Sequence, residues 1–258
     1  MHLCAQVLEL FHEVTYQTSC GQLIDLITAP IGEARVQHAW HVPAGVAKPA
    51  HMCASPAQVD LSKYTLDTYM RIVTYKTAFY TFYLPAALAM HLCGLTDPRA
   101  FALARDICVR LGQFFQIQDD YLDCYGDPAV IGKVGTDIED NKCSWLVVQA
   151  LQRCTDAQRK VFEVRLRKEL RAAVVLQLMR LLGTLPPASY PAQLNYGQND
   201  PAKVAAIKAV YAELQLEAVY QEYERTSYGE LVALIEGQDL LPQALFMDML
   251  KKIYKRVK

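Results

Sequence analysis

The chain has 258 residues and a formal net charge of −1, and 52% of its side chains are hydrophobic, enough for one sizeable core or two small ones. A near-zero charge excludes bulk attraction to nucleic acid or anionic lipid, so an anionic ligand must be met by local clusters. Eight cysteines are scattered without a C-x-x-C pair, which points away from a zinc site or a thioredoxin motif. The opening sequence, MHLCAQVLELFHEVTYQ, has neither the charged region nor the cleavage site of a secretory signal. Reduced thiols in a cytoplasmic protein are the simplest expectation.

Hydrophobic periodicity is helical nearly throughout and predicts an all-α protein. The first helix is predicted over about 3–27, and the chain opens as though already inside an amphipathic helix. It carries Gln22 and Asp25, three apart and so on one face. Residues 31–58 follow, rich in Pro, Ala and His and without a clear period, an unusually long stretch to lack structure. His38 and His41 within it read as loop residues rather than metal ligands.

A second helix is predicted over 66–94, with Pro85 as a kink. Its portion AFYTFYLPAALAMHLCGL (78–95) is long enough to cross a bilayer. Thr81, Pro85, His91 and Gly94, and the lack of a second such segment, point instead to a buried bundle helix with no membrane span. Lys76, Thr77 and Tyr80 lie on one side of it. A lysine among so many aromatics either snorkels to solvent or meets an anion.

The third helix, about 97–124, contains FFQIQDDYLDC. At about 100° per residue, Gln116, Asp119, Asp120 and Asp123 fall on one stripe, opposite Leu111, Phe114, Phe115, Tyr121 and Leu122. Asp119 and Asp123 stand one turn apart, roughly 6 Å along the axis. Like charges at that spacing destabilise a helix, so a cation has to offset them. Oxygen ligands of high local charge suit magnesium. Spacing alone leaves that reading and a solvated acidic face both open. A calcium loop is excluded, because its twelfth position would fall on Val130 or Val134.

Residues 126–151 begin with a connection made flexible by Gly126, Gly132 and Gly135. Thr136 and Glu139 form a candidate capping box for a helix over 137–152. Lys133 and Lys142 flank Asp137 and Asp140, a mixture able to hold a metal-bound polyphosphate or simply an exposed charged loop. Further helices are predicted over 157–182, 201–216, 217–236 and 242–254. Residues 164–193 start as a basic helix and end in a Pro-rich tail.

Five stretches together resemble the farnesyl diphosphate synthases of the trans-isoprenyl diphosphate synthase family: QTSCGQLIDLITAP (17–30), VDLSKYTLDTYMRIVTYKTAFYTFYLPAALAM (59–90), FFQIQDDYLDCYGDPAVIGKVGTDIEDNKCSWLVVQALQR (114–153), NYGQNDPAKV (195–204) and KIYKRVK (252–258). The D-D-x-x-D block with its G-K and T-D-x-x-D-N-K continuation is the most specific of these. The resemblance implies an all-α isoprenoid synthase bundle in which two aspartate-rich motifs face each other and share three magnesium ions with an allylic diphosphate.

By that resemblance Asp119 and Asp123 ligate magnesium, with Asp120 supporting. Lys76 and Lys133 contact the allylic diphosphate, and Asp137 and Lys142 belong to the same end of the site. Gln116, Thr77 and the Lys76 carbonyl place oxygens near the developing carbocation. Gln22, Asp25 and Tyr80 line the cavity, and Arg256 helps to close it over isopentenyl diphosphate. The implied reaction is ionisation, condensation and elimination, taking dimethylallyl diphosphate to geranyl and then farnesyl diphosphate. A homodimer is the family's assembly.

The chain departs from the family in four ways. It holds only one D-D-x-x-D motif, the second, and so reads as the C-terminal part of a single synthase domain spanning 1–258. The first motif and the positions upstream of it that set product length fall outside it. Residues 31–58 and 164–193 interrupt the family pattern as insertions, and Val257 replaces a polar or basic residue. Two alternatives therefore stand beside the synthase: a non-catalytic fragment or subunit, and a terpene cyclase, which can use one such motif.

Overall fold

The computed structural model describes residues 2–29, 60–163, 196 and 200–256. The segments read as insertions, 31–58 and 164–193, lie outside the described residues. Among the described residues the secondary structure is helical, as the periodicity predicts.

Helix α1 spans His2–Thr28, α2 Leu66–Val73, α3 Leu84–Leu92 and α4 Pro98–Tyr125. A single turn, α5, covers Pro128–Ile131, followed by α6 at Trp145–Arg153 and α7 at Asp156–Glu163. Helices α8 (Pro201–Glu213), α9 (Leu216–Glu236) and α10 (Gln243–Ile253) complete the bundle. Three of these helices open on the same dipeptide. Asp97, Asp127 and Asp200 each accept a hydrogen bond from the backbone N–H two residues on, and each is followed by proline. Asp satisfies a free donor of the first turn, and Pro has none to leave unpaired.

Two local expectations are corrected. The predicted helix over 66–94 is not an α-helix kinked at Pro85. Residues Thr74–Tyr83 form a π-helix between α2 and α3, and Pro85 stands in the first turn of α3. Its missing N–H is tolerated there because the widened π turn hands over to a fresh α turn. Nor does the capping box open a helix at 137. The Thr136 hydroxyl donates to Asp140 (2.7 Å), and Asn141 turns left-handed at φ 56°, held by the Tyr64 hydroxyl on its carbonyl (2.8 Å). Residues 137–141 are therefore turn, and α6 starts only at Trp145.

Helix α4 is the central strut. One length of it packs Ile107, Leu111 and Phe114 against Ile235, Phe246 and Leu250 of α9 and α10. Further on, Ile117 joins a second cluster with Ile72, Trp145, Val148 and Tyr211. Each fully buried side chain of this size contributes about 1.5–3 kcal/mol. These two cores fix the direction in which the acidic stripe between them faces. Helix α1 buries Leu10 and Val14 against Phe79 and Ala87, while Leu8, Tyr16, Leu23 and Ile27 on it are exposed. It is thus apolar on both faces rather than amphipathic. No helix among the described residues is long and apolar enough to cross a membrane. Among the described residues Cys4, Cys20, Cys93, Cys108, Cys124 and Cys143 are free thiols.

Candidate active site

A cavity of about 280 Å³ opens between α1, α2, the π-helix, α4 and the turn before α6. Asp25, Lys76, Thr77, Gln116, Asp119, Asp120, Asp123, Lys133, Asp137 and Lys142 all line it. Ten of the twelve side chains singled out from sequence and resemblance, Arg256 apart, thus meet at one place. Gln22 and Tyr80 do not. Both are exposed, Tyr80 because in a π-helix four residues fall short of a full turn from Lys76.

The three aspartates of the stripe have different surroundings. Asp120 is buried and fully engaged. Its Oδ2 accepts from the Tyr69 hydroxyl and the Trp145 backbone N–H, both at 2.7 Å, and its Oδ1 from Gln116 Nε2 at 3.1 Å. It ties α4 to α2 and α6. Burial pushes its carboxyl up to about 6, while the bonds from Trp145, Tyr69 and Gln116 oppose the shift. Asp123 turns one oxygen to the Asp137 N–H (2.9 Å) and the other towards Lys133 Nζ (3.8 Å). Asp119 is the most open of the three. Its Oδ1 meets only the Arg256 guanidinium at 3.4 Å, and that group also lies 4.1 Å from the centre of the Phe115 ring. The tail arginine therefore reaches the acidic stripe itself.

Across the cavity, buried Asp25 accepts from two lysines with one oxygen, Lys76 Nζ at 2.5 Å and Lys142 Nζ at 3.4 Å. Two ammonium groups are thereby gathered on a single counter-charge, leaving net positive charge facing the aspartates. The Thr77 hydroxyl donates to Gln116 Oε1 at 3.0 Å, which puts two neutral oxygens beside the lysines. Asp137 is crowded by carboxylates: burial first, then the charges of Asp120 and Asp123, push it up to about 8 against the pull of Lys142.

Tyr69, the Trp145 N–H and Cys143 belong to this site and have no signal in the local sequence. Tyr69 and Trp145 stand 51 and 25 residues from the carboxylate they hold. Burial also raises the Cys143 thiol, so it stays protonated at neutral pH.

Among the described residues no three acidic, histidine or cysteine side chains converge as a self-sufficient metal centre. This donor set fits magnesium, which takes one or two carboxylates and completes its shell with phosphate oxygens and water. Asp119 and Asp123 are the residues that could hold it.

The raised carboxyls have a consequence for stability. A carboxyl whose folded pKa lies above its unfolded value stabilises the fold at low pH, and that contribution is lost as pH rises through the folded value. Asp120 and Asp137 place this window between about pH 4 and 8. Thermal unfolding in EDTA is expected to show a lower Tm at pH 8 than at pH 5, with magnesium pyrophosphate closing the gap. Equal Tm values at the two pH values, without metal, would count against this reading of the acidic cluster.

Residues 1–182 match the polyprenyl synthetase family. The farnesyl pyrophosphate synthase of Rattus norvegicus is 45% identical over 253 residues, covering 98% of this chain and 56% of the rat protein. The Dictyostelium discoideum farnesyl diphosphate synthase is 40% identical over 98% of this chain and 51% of its own length. Among solved structures, T. brucei farnesyl diphosphate synthase complexed with risedronate is 30% identical with a TM-score of 0.71, covering 98% of this chain and 60% of that one. The chain spans about half the length of the curated relatives it matches. An all-α bundle, the D-D-x-x-D stripe facing paired lysines, and agreement along nearly the whole chain lead to one assignment: this chain belongs to the polyprenyl synthetase family.

Proposed function

We propose that the cavity binds the diphosphate of an allylic isoprenyl substrate and that the chain serves prenyl transfer of the farnesyl diphosphate synthase type. Isopentenyl diphosphate would be condensed with dimethylallyl and then geranyl diphosphate. The observation that carries this reading is the opposition of Asp119 and Asp123 to Lys76 and Lys142 across one small cavity, with Lys133 at its rim.

Magnesium, when bound, neutralises carboxylate and diphosphate oxygens and stabilises the leaving group. Lys76, Lys142 and Lys133 receive the remaining oxygens as the allylic C–O bond breaks, so charge develops where donors already point. Asp25 keeps the first two lysines in place before substrate arrives. The Thr77 and Gln116 oxygens face the allylic carbon as it becomes cationic. The double bond of isopentenyl diphosphate then supplies the electron pair for the new C–C bond, and a proton leaves to the departed diphosphate. Tyr69, Ile72 and Val73 of α2 form the apolar wall of the cavity and limit water, which would quench the cation.

Arg256 has a double use in this scheme. Its contact with Asp119 offsets the acidic stripe when no metal is present, and on release it is free to meet the second diphosphate. The exposed apolar residues of α1, Leu8, Tyr16 and Ile27, support the family's homodimer as the assembly. A cytoplasmic location and magnesium as the metal belong to the same proposal.

The test is product formation. The chain is joined to the amino-terminal helices of a relative that carry the other aspartate-rich motif, then given magnesium, labelled isopentenyl diphosphate and geranyl diphosphate. A fifteen-carbon diphosphate is expected from the joined protein and at most traces from the 258 residues alone. A released hydrocarbon would favour a cyclase, and no product from the joined protein would favour the non-catalytic reading.

A further inference from the structure

The π-helix Thr74–Tyr83 is ten residues long, whereas such segments are ordinarily single turns within α-helices. Its own sequence holds no glycine or proline to account for it. The support comes from both sides. On α1, a Cβ at Gly21 would run into the Lys76 backbone N and would stand 2.6 Å from the Tyr75 carbonyl carbon. On α4, a Cβ at Gly112 would run into the Ala78 Cβ and would stand 2.5 Å from its Cα. Both contacts involve main chain or the first side-chain carbon, which cannot swing aside.

Each glycine is followed four residues later, on the same helical face, by a polar residue that grips the same segment. Gly21 precedes Asp25, whose carboxylate accepts from Lys76. Gly112 precedes Gln116, whose carbonyl oxygen accepts from Thr77, and Gln113 beside it donates to the Thr74 hydroxyl at 2.8 Å. The pattern is G-x-x-x-D on one helix and G-x-x-x-Q on the other. It clamps the π-helix by close approach and sets its register by hydrogen bonds.

We infer that Gly21 and Gly112 are positioning residues that hold Lys76 and Thr77 at the diphosphate cavity by clamping the π-helix between α1 and α4. The inference rests on the diphosphate reading above. Neither glycine touches the cavity, so each acts through the residues it holds.

The experiment is a double-mutant cycle on the 258-residue chain, read as affinity for inorganic pyrophosphate in excess magnesium. Gly21→Ala is expected to weaken binding at least tenfold, and so is Lys76→Ala. The double variant should bind within twofold of Lys76→Ala alone, because the glycine acts through that lysine. A purely structural glycine would give losses that multiply, and that result, or an unchanged affinity for Gly21→Ala, overturns the inference. If Gly21→Ala does not fold by circular dichroism, Gln113→Met replaces it in the same cycle. It introduces no clash and releases Thr74, with a threefold loss expected in the presence of Lys76 and none in its absence. Any other outcome of that cycle overturns the inference. If the unaltered chain binds no magnesium pyrophosphate, the diphosphate reading falls first and the clamp's purpose with it.

Discussion

Replacing Asp119 with alanine is expected to lower kcat/KM for the allylic substrate roughly a thousandfold, about 4 kcal/mol of transition-state stabilisation, in the chain joined to the amino-terminal helices of a relative. The side chain contributes little to the fold. It is 42% exposed, and its one polar partner is Arg256 at 3.4 Å. Its loss removes a carboxylate from the acidic stripe and leaves the core untouched, so the Tm should move by only a degree or two. The dependence of rate on magnesium concentration should shift to higher values as well. Steady-state kinetics across a magnesium series checks all of this at once. An unchanged rate with unchanged magnesium dependence would remove Asp119 from the metal site.

Asp120→Ala is expected to do the opposite, costing stability first. Three hydrogen bonds end on this one buried carboxylate. Alanine leaves the Tyr69 hydroxyl and the Trp145 N–H without acceptors in the interior. Buried donors left this way cost about 1–3 kcal/mol each, so a loss of about 3 kcal/mol is a conservative figure. For a chain of this length that lowers the Tm by roughly 6–12 °C. Asp120→Asn keeps an oxygen for the two bonds at Oδ2 and, with a flip of the Gln116 amide, costs roughly 1 kcal/mol. Chemical denaturation of the three proteins side by side measures this order. If Asp120→Ala proved as stable as Asp119→Ala, the anchoring role would be wrong.

These adjacent aspartates show how far the sequence could be read. Their helix, their stripe and their one-turn spacing are all visible in FFQIQDDYLD, because the 3.6-residue period is a local property. What divides their labour is not local. Tyr69 reaches Asp120 from α2 and the Trp145 N–H from α6, and no pattern around residue 120 reports them. The π-helix was hidden for the same reason. Its ten residues hold no glycine or proline to mark it, and the features that permit it, Gly21 and Gly112, lie on other elements. The helix starts predicted near 97 and at 201 were found at Pro98 and Pro201, whereas the turn at Pro128–Ile131, opened by the same Asp-Pro pair, went unread. The misread capping box at Thr136 marks the limit of that approach. Thr136 and Glu139 have the right spacing, but the Thr136 hydroxyl goes to Asp140, and the tertiary bond from Tyr64 holds Asn141 in a left-handed turn. The metal reading of the stripe came from residue spacing as one of two options, and the resemblance chose between them.

The central claim is that magnesium joins the Asp119–Asp123 stripe to an allylic diphosphate held by Lys76 and Lys142. Calorimetric titration of geranyl diphosphate into the 258-residue chain, with excess magnesium and again in EDTA, tests it most directly. The account predicts binding with magnesium, little or none in EDTA, and at least tenfold weaker binding by the Asp119→Ala variant in the presence of magnesium. Equal affinity with and without the metal, or full binding by Asp119→Ala, would contradict it.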